Sequence, residues 1–309
     1  MQVRRYWASV QIQKGSGRRR ISTRVWGGSD ESEAAARAEA QRRAEAVDWD
    51  RVLARERSPS EPGNYSYLRG ANPEPMLDEA LDEQGARAGA ITINRYGARV
   101  LNTASLAFID VDTNENPERV MQLLNPAAPI TPVKRPGLLG RLKDALSGPP
   151  EASPEQVRDA VAQGVRGWVG QSSGRAARLY RTAAGLRLLL VNPPMDPAAD
   201  ETRELMLRFG SDPAYVALCR VQASFRARLT PKPWRLQGFD KLLPKINYET
   251  IADDRTSRWL DAYASASRGH AVCELLDQFG TNAAPDPTAG LLLKLHDEET
   301  GVGSGLPLA

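Results

Sequence analysis

The stretch Ala104 to Glu115, ASLAFIDVDTNE, limits the fold most sharply. Its apolar run needs a covered surface, yet it ends in two carboxylates one residue apart. Side chains alternate faces along a strand, so Asp110 and Asp112 fall on one side and Ile109 and Val111 on the other. A chain with such a strand needs a sheet with a packed face and a charged rim. Two carboxylates on one rim suit Mg²⁺ or Mn²⁺, which take hard oxygen ligands and bridge protein acids to substrate phosphates. The same spacing also arises where a strand simply turns out into solvent. Asp110, Asp112, Asn114 and Asn116 alternate as in a calcium-binding EF-hand loop. Glu115 stands where that loop needs glycine and Met121 where it needs a bidentate glutamate, which excludes it.

The surrounding segments predict an α+β chain with a central, mainly antiparallel sheet and packed helices. Arg5–Ile12 and Ile21–Trp26 are β-prone runs joined by KGSGRRR, and EAAARAEAQRRAEAV follows as a helix, giving a ββα unit over 1–55. Its Arg18 to Arg20 tip is a phosphate contact or only a solvated turn. Residues 56–75, rich in Ser, Pro, Gly and Asn, read as a linker. The central domain spans 76–236. It opens with a short helix over Pro75–Gln84 and continues with AITIN, a turn at Arg95-Tyr96-Gly97, ARVLN and LAFIDVD as a three-stranded meander. A proline-rich mobile insertion covers 125–153, where Lys134, Arg135, Arg141 and Lys143 line a solvated loop or a lid over an anion.

Ser153 begins a helix reaching about Val169, with proline at its first position. RAARLYRTAAGLRLLLV then forms a hairpin turning at Ala183-Ala184-Gly185. Two helices follow, DETRELMLRF and DPAYVALCRVQ, and then a strand, FRARL, stopped by Pro231 and Pro233. Residues 237–309 form a helical C-terminal region, with helices near Asp253–Ala266 and Ala271–Phe279 and a frayed Gly/Pro-rich tail.

Composition narrows the chemistry. The 41 Lys and Arg nearly balance 38 Asp and Glu, and a net charge of +3 is too small to argue for nucleic-acid binding on its own. Two cysteines, Cys219 and Cys273, sit in apolar helical patterns and read as buried free thiols with no disulfide partner. His270 and His296 are the only histidines, so a His-rich metal site or a Ser-His-Asp triad has little material. The N-terminal MQVRRYWASVQIQ lacks an apolar signal core, and no apolar run reaches spanning length. A cytoplasmic protein without membrane contact is therefore expected.

The arginines are the other resource. Arg226 and Arg228 share one strand face, while Phe225, Ala227 and Leu229 take the other, and Lys232 lies just beyond. Guanidinium forks match phosphate oxygens, so this pair is a candidate phosphate cradle; pairing with nearby carboxylates is the alternative. Arg181 and Thr182 lie next to Gly185, which either lets backbone approach a ligand closely or serves only a positive φ in the hairpin turn. Trp26, Trp168, Trp234 and Trp259 are base-stacking candidates or core anchors.

A strand ending FIDVD, a helical segment, and a hairpin with Gly185-Leu186-Arg187 together resemble the catalytic module of the archaeo-eukaryotic primase, or primase-polymerase, superfamily. The resemblance covers about Ala90–Arg235. It implies an RRM-like sheet in which Asp110 and Asp112 are metal-binding and catalytic. Arg187 takes the place of the family's phosphate-binding histidine, and Asp196 is the nearest candidate for a third metal carboxylate. The implied activity is metal-dependent nucleotidyl or phosphoryl transfer with Mg²⁺ or Mn²⁺ on nucleotides or nucleic acid, with Arg181, Arg187, Arg226, Arg228 and Lys232 on phosphates. YRTAAGLRLLLV and CRVQASFRARLTPKPWR also resemble bacterial protein sequence. The alternative is a non-catalytic protein that binds nucleic acid or a nucleotide on a basic sheet face. A third role is partner binding through the amphipathic Leu138–Leu146.

Overall fold

A computed structural model describes residues 3–15, 20–50, 52–53, 73–112, 153–239, 246–280 and 286–309. The insertion at 125–153, apart from Ser153, lies outside the described residues, as do Leu138–Leu146, Arg18, Arg19 and nearly all of the 56–75 linker. The fold is α+β with three antiparallel sheets, of two, four and four strands. It divides into two units: 1–104 with 217–270, and 105–216 with 271–309.

In unit 1, β1 (Tyr6–Lys14) and β2 (Ile21–Ser29) form a hairpin covered by α1 (Glu33–Glu45), the expected ββα arrangement. Ser32 caps α1, accepting a hydrogen bond from the Ala35 N–H at 3.1 Å. Ala36 and Ala40, four apart on one helix face, are fully buried. Their small size lets the helix lie so close that a Cβ on Gly27 would sit 2.2 Å from the Ala40 nitrogen.

The second sheet of unit 1 runs β3 (Met76–Leu81), β4 (Arg87–Ile93), β5 (Arg99–Thr103) and β9 (Phe225–Arg228). β3 replaces the helix predicted over Pro75–Gln84. Its Leu, Ala and Glu favour a helix locally, but the ladder with β4 overrides that preference. AITIN and ARVLN pair as expected, yet the meander stops there. The free edge of β5 is taken by β9, whose Phe225 and Ala227 alternate inward, more than 120 residues later. α5 (Asp254–Ser267) carries Trp259 and Tyr263, stacked with ring centroids 5.2 Å apart.

In unit 2 the sheet order is β10 (Cys273–Phe279), β7 (Ala176–Thr182), β8 (Gly185–Asn192) and β6 (Ala107–Asp112). The β7–β8 hairpin turns at Ala183-Ala184 as expected. β8 is buried on both faces, which fits its near-continuous run of leucines. α2 (Pro154–Gly170) starts with a capping box, the Ser153 oxygen on the Gln156 N–H and the Gln156 side chain back on the Ser153 N–H. α3 (Asp200–Arg208) follows, and α4 (Pro213–Gln222) carries the chain across the division between Val216 and Ala217.

Two features of the C-terminal region differ from expectation. Residues Cys273–Phe279 form a strand rather than a helix, because β7 offers them an antiparallel edge. A further helix, α6 (Pro287–Glu299), is capped by Asp286 and lies against β8. The tail is not frayed: Leu308 bridges to Ala271, the Ala309 N–H donates to Ala271 at 3.0 Å, and Ala309 is buried.

Candidate functional site

Asp110 and Asp112 share the half-exposed face of β6, while Ile109 and Val111 are buried on the other, as the alternation requires. What the spacing does not reveal is the partner directly across the ladder. Asp110 is in register with Arg187 on β8, and the guanidinium grips it bidentately, Nε to Oδ1 at 2.6 Å and Nη2 to Oδ2 at 3.1 Å. Burial alone lowers the Arg187 pKa, but the Asp110 carboxylate outweighs it and raises the value. Arg187 is buried with a side chain only 2% exposed, and its guanidinium is turned to Asp110.

Of the two aspartates, Asp110 meets a cationic charge before any metal does. A fixed positive charge covers both oxygens of Asp110, and among the described residues no group of three His, Cys, Asp or Glu is placed to hold a metal. Asp196 is exposed and accepts the Ala198 N–H at 2.8 Å, bracing the loop before α3.

The other side of Arg187 opens onto residues that sequence reasoning passed over. Its Nη1 lies 3.3 Å from Nε2 of His296 and 3.6 Å from Sγ of Cys273. An arginine nitrogen can only donate, so His296 Nε2 accepts and the ring proton sits on Nδ1, which donates to Asp297 Oδ1 at 2.9 Å. Asp297 is oriented in turn by the Tyr180 hydroxyl at 2.9 Å and Arg178 Nη1 at 2.7 Å. Cys273 Sγ is 3.9 Å from His296 Nε2. The result is a continuous chain from half-exposed Asp110 through buried Arg187 and His296 to Asp297, with a Cys-His-Asp order inside it. Burial, then the Arg187 charge, depresses the His296 pKa against the pull of Asp297, so the ring is neutral. Burial raises the Cys273 thiol, with Arg187 opposing. Burial, followed by the Asp297 charge, raises Tyr180. The sequence signals were one arginine inside the apolar LRLLLV and the His-Asp pair ending the LLLKLHD run.

Two more of the candidate arginines pair with carboxylates. Arg181 faces Glu274 across the β7–β10 ladder in an exposed ion pair. Arg226 Nη2 binds both oxygens of Glu74 at 2.7 Å, and Glu74 also accepts from the Thr92 hydroxyl at 2.6 Å. Arg228 is half-buried on the same strand face as Arg226.

Lys232 belongs to a different arrangement in unit 1. The Arg95-Tyr96-Gly97 turn is held by the Asn94 side chain, which accepts the Tyr96 and Ala98 N–H groups at 3.0 and 3.1 Å. Gly97 has φ +90, and any Cβ there would strike the Trp259 ring. Fixed in this way, Tyr96 meets Trp234 edge-on, with centroids 5.6 Å apart and planes at 86°. Trp234 sits on a 3₁₀ turn, Pro233–Arg235, and remains 44% exposed. Lys232 Nζ lies 5.8 Å from the Trp234 ring centroid and the Arg95 guanidinium 4.5 Å from that of Tyr96. Two rings with cations beside them make a surface suited to stacking a base near a phosphate.

Both cysteines are free and buried, and no helix among the described residues is long and apolar enough to cross a membrane. No protein-family model, curated protein or solved structure matches this chain.

Proposed function

We propose that this protein binds single-stranded nucleic acid without catalysis, through the Trp234 surface of unit 1. The observation that carries the proposal is the exposed Trp234 ring, fixed by Tyr96 and accompanied by Lys232 and Arg95. Base stacking on an aromatic ring tolerates any sequence, and neighbouring cations track the backbone. The same side chains serve a free nucleotide less well, because a single phosphate group engages fewer of the cations. Metal-dependent nucleotidyl transfer receives less support: Asp110 and Asp112 do share an open face, but Arg187 neutralises the first of them.

The test is an anisotropy titration of a labelled oligothymidine against the wild type and Trp234→Ala. Wild-type binding that weakens as salt rises, together with a loss of about tenfold in the variant, supports the proposal. Absence of binding, or an unchanged affinity in Trp234→Ala, overturns it.

A further inference from the structure

We infer that Cys273 is a masked thiol-modification site in unit 2, with His296 as its base, Asp297 as the residue that orients the base, and Arg187 as the cover. Nucleophile and base stand 3.9 Å apart, the base is 2.9 Å from its orienting carboxylate, and that carboxylate is locked by Tyr180 and Arg178. This is the order of groups in an activated thiol at a looser spacing, with two obstructions: the sulfur is buried, and the base is occupied. The only lone pair of His296 that faces the sulfur is taken by Arg187 Nη1, so the imidazole cannot accept the thiol proton.

Asp110 completes the device. It is the half-exposed end of the chain and fixes Arg187 by two hydrogen bonds. Moving the guanidinium off His296 frees Nε2, and Cys273 then meets a small soft electrophile as a nucleophile. With iodoacetamide, the sulfur attacks the methylene carbon, a C–S bond forms, the C–I bond breaks, iodide leaves and the thiol proton passes to His296 Nε2. Among the described residues the groups around the ring are Asp297 on α6, Arg187 on β8, Cys273 on β10 and Tyr180 on β7, with Arg178 on β7 and Asp110 on β6 acting through Asp297 and Arg187.

The experiment measures iodoacetamide labelling of Cys273 by peptide mass spectrometry in folded, full-length protein carrying Cys219→Ser. Arg187→Met keeps much of the side-chain volume and leaves Asp110 to water. The substitution also removes a charge that favours the thiolate, but the freed base outweighs it: labelling is expected to be at least about tenfold faster than in the parent, and adding His296→Gln is expected to return the rate to the parent level or below. Equal rates in the parent and Arg187→Met, or rapid labelling that survives His296→Gln, overturn the inference. Should Arg187→Met fail to fold, the parent protein still decides. Ring ¹⁵N shifts that show His296 protonated at Nδ1 and accepting at Nε2 uphold the mask, and a proton on Nε2 overturns it. None of these outcomes depends on nucleic-acid binding by unit 1.

Discussion

In unit 1, Arg226 and Glu74 are both shut away, with side chains 9% and 5% exposed; in unit 2, Arg187 is 2% exposed but Asp110 is 47% exposed. The surroundings differ as well. Arg226 and Glu74 are completed by Gln222 and Thr92, with Asn102 behind Thr92, none of which titrates near neutral pH. Arg187 is completed by an imidazole and a thiol. A closed pair among neutral amides and hydroxyls fixes a sheet and does nothing else. A pair open at one end, with a titratable base behind it, responds to what reaches the open end.

That contrast is sharpened most by Glu74→Gln. Removing one partner of a fully buried pair leaves an uncompensated charge, and a loss of about 3–5 kcal/mol is expected. Hydrogen exchange of the β4 and β5 amides measures it, and a loss below about 1 kcal/mol would mean that the pair is not closed.

Asp110→Asn comes next. Water reaches that end and an amide still accepts one guanidinium bond, so the expected loss is smaller, about 1–3 kcal/mol in the exchange of β6 and β8 amides. A loss equal to that of Glu74→Gln would erase the distinction between the two pairs.

The third expectation concerns pH. The His296 pKa is lowered in the folded chain, so the unfolded state binds the proton more readily. Unit 2 therefore keeps this contribution above the ordinary histidine value of about 6.5 and loses it as the pH falls from there toward the depressed folded value. Amide exchange in β7 and β8 followed against pH reads the loss, and His296→Gln should flatten that part of the curve. An unchanged slope in the variant would place the acid sensitivity elsewhere.

Trp234→Ala should alter stability least, by about 1 kcal/mol or less in thermal unfolding, because the ring is nearly half exposed on a short 3₁₀ turn and its edge-on contact with Tyr96 is worth about that much. A larger loss would make it a packing residue.

Much of this was legible in the chain, and the exceptions share a cause. Local signals found the ββα unit, the Ser153 cap, the β7–β8 hairpin, the FRAR strand and the common face of Asp110 and Asp112. What depends on distant partners was not legible: β9 closing the sheet beside β5, β6 leaving the meander for β8, and Cys273–Phe279 becoming a strand on the edge of β7. The candidate site follows the same rule. The arginines at 181, 187 and 226 look alike in sequence; only the folded chain brings carboxylates to them, by cross-strand register for Arg181 and Arg187 and from the residue two before β3 for Arg226. His296, Asp297 and Cys273 come from a helix and a strand whose types were missed, so their meeting with Arg187 was out of reach.

The most direct test of the account is the affinity of single-stranded oligothymidine for wild type, Trp234→Ala and Asp110→Asn/Asp112→Asn, each with and without Mg²⁺. Binding that is independent of Mg²⁺, unchanged in the aspartate variant and about tenfold weaker in Trp234→Ala is the predicted result. Binding that requires Mg²⁺ and disappears with the aspartates, while Trp234→Ala behaves as wild type, would contradict it and return the site to the acidic pair.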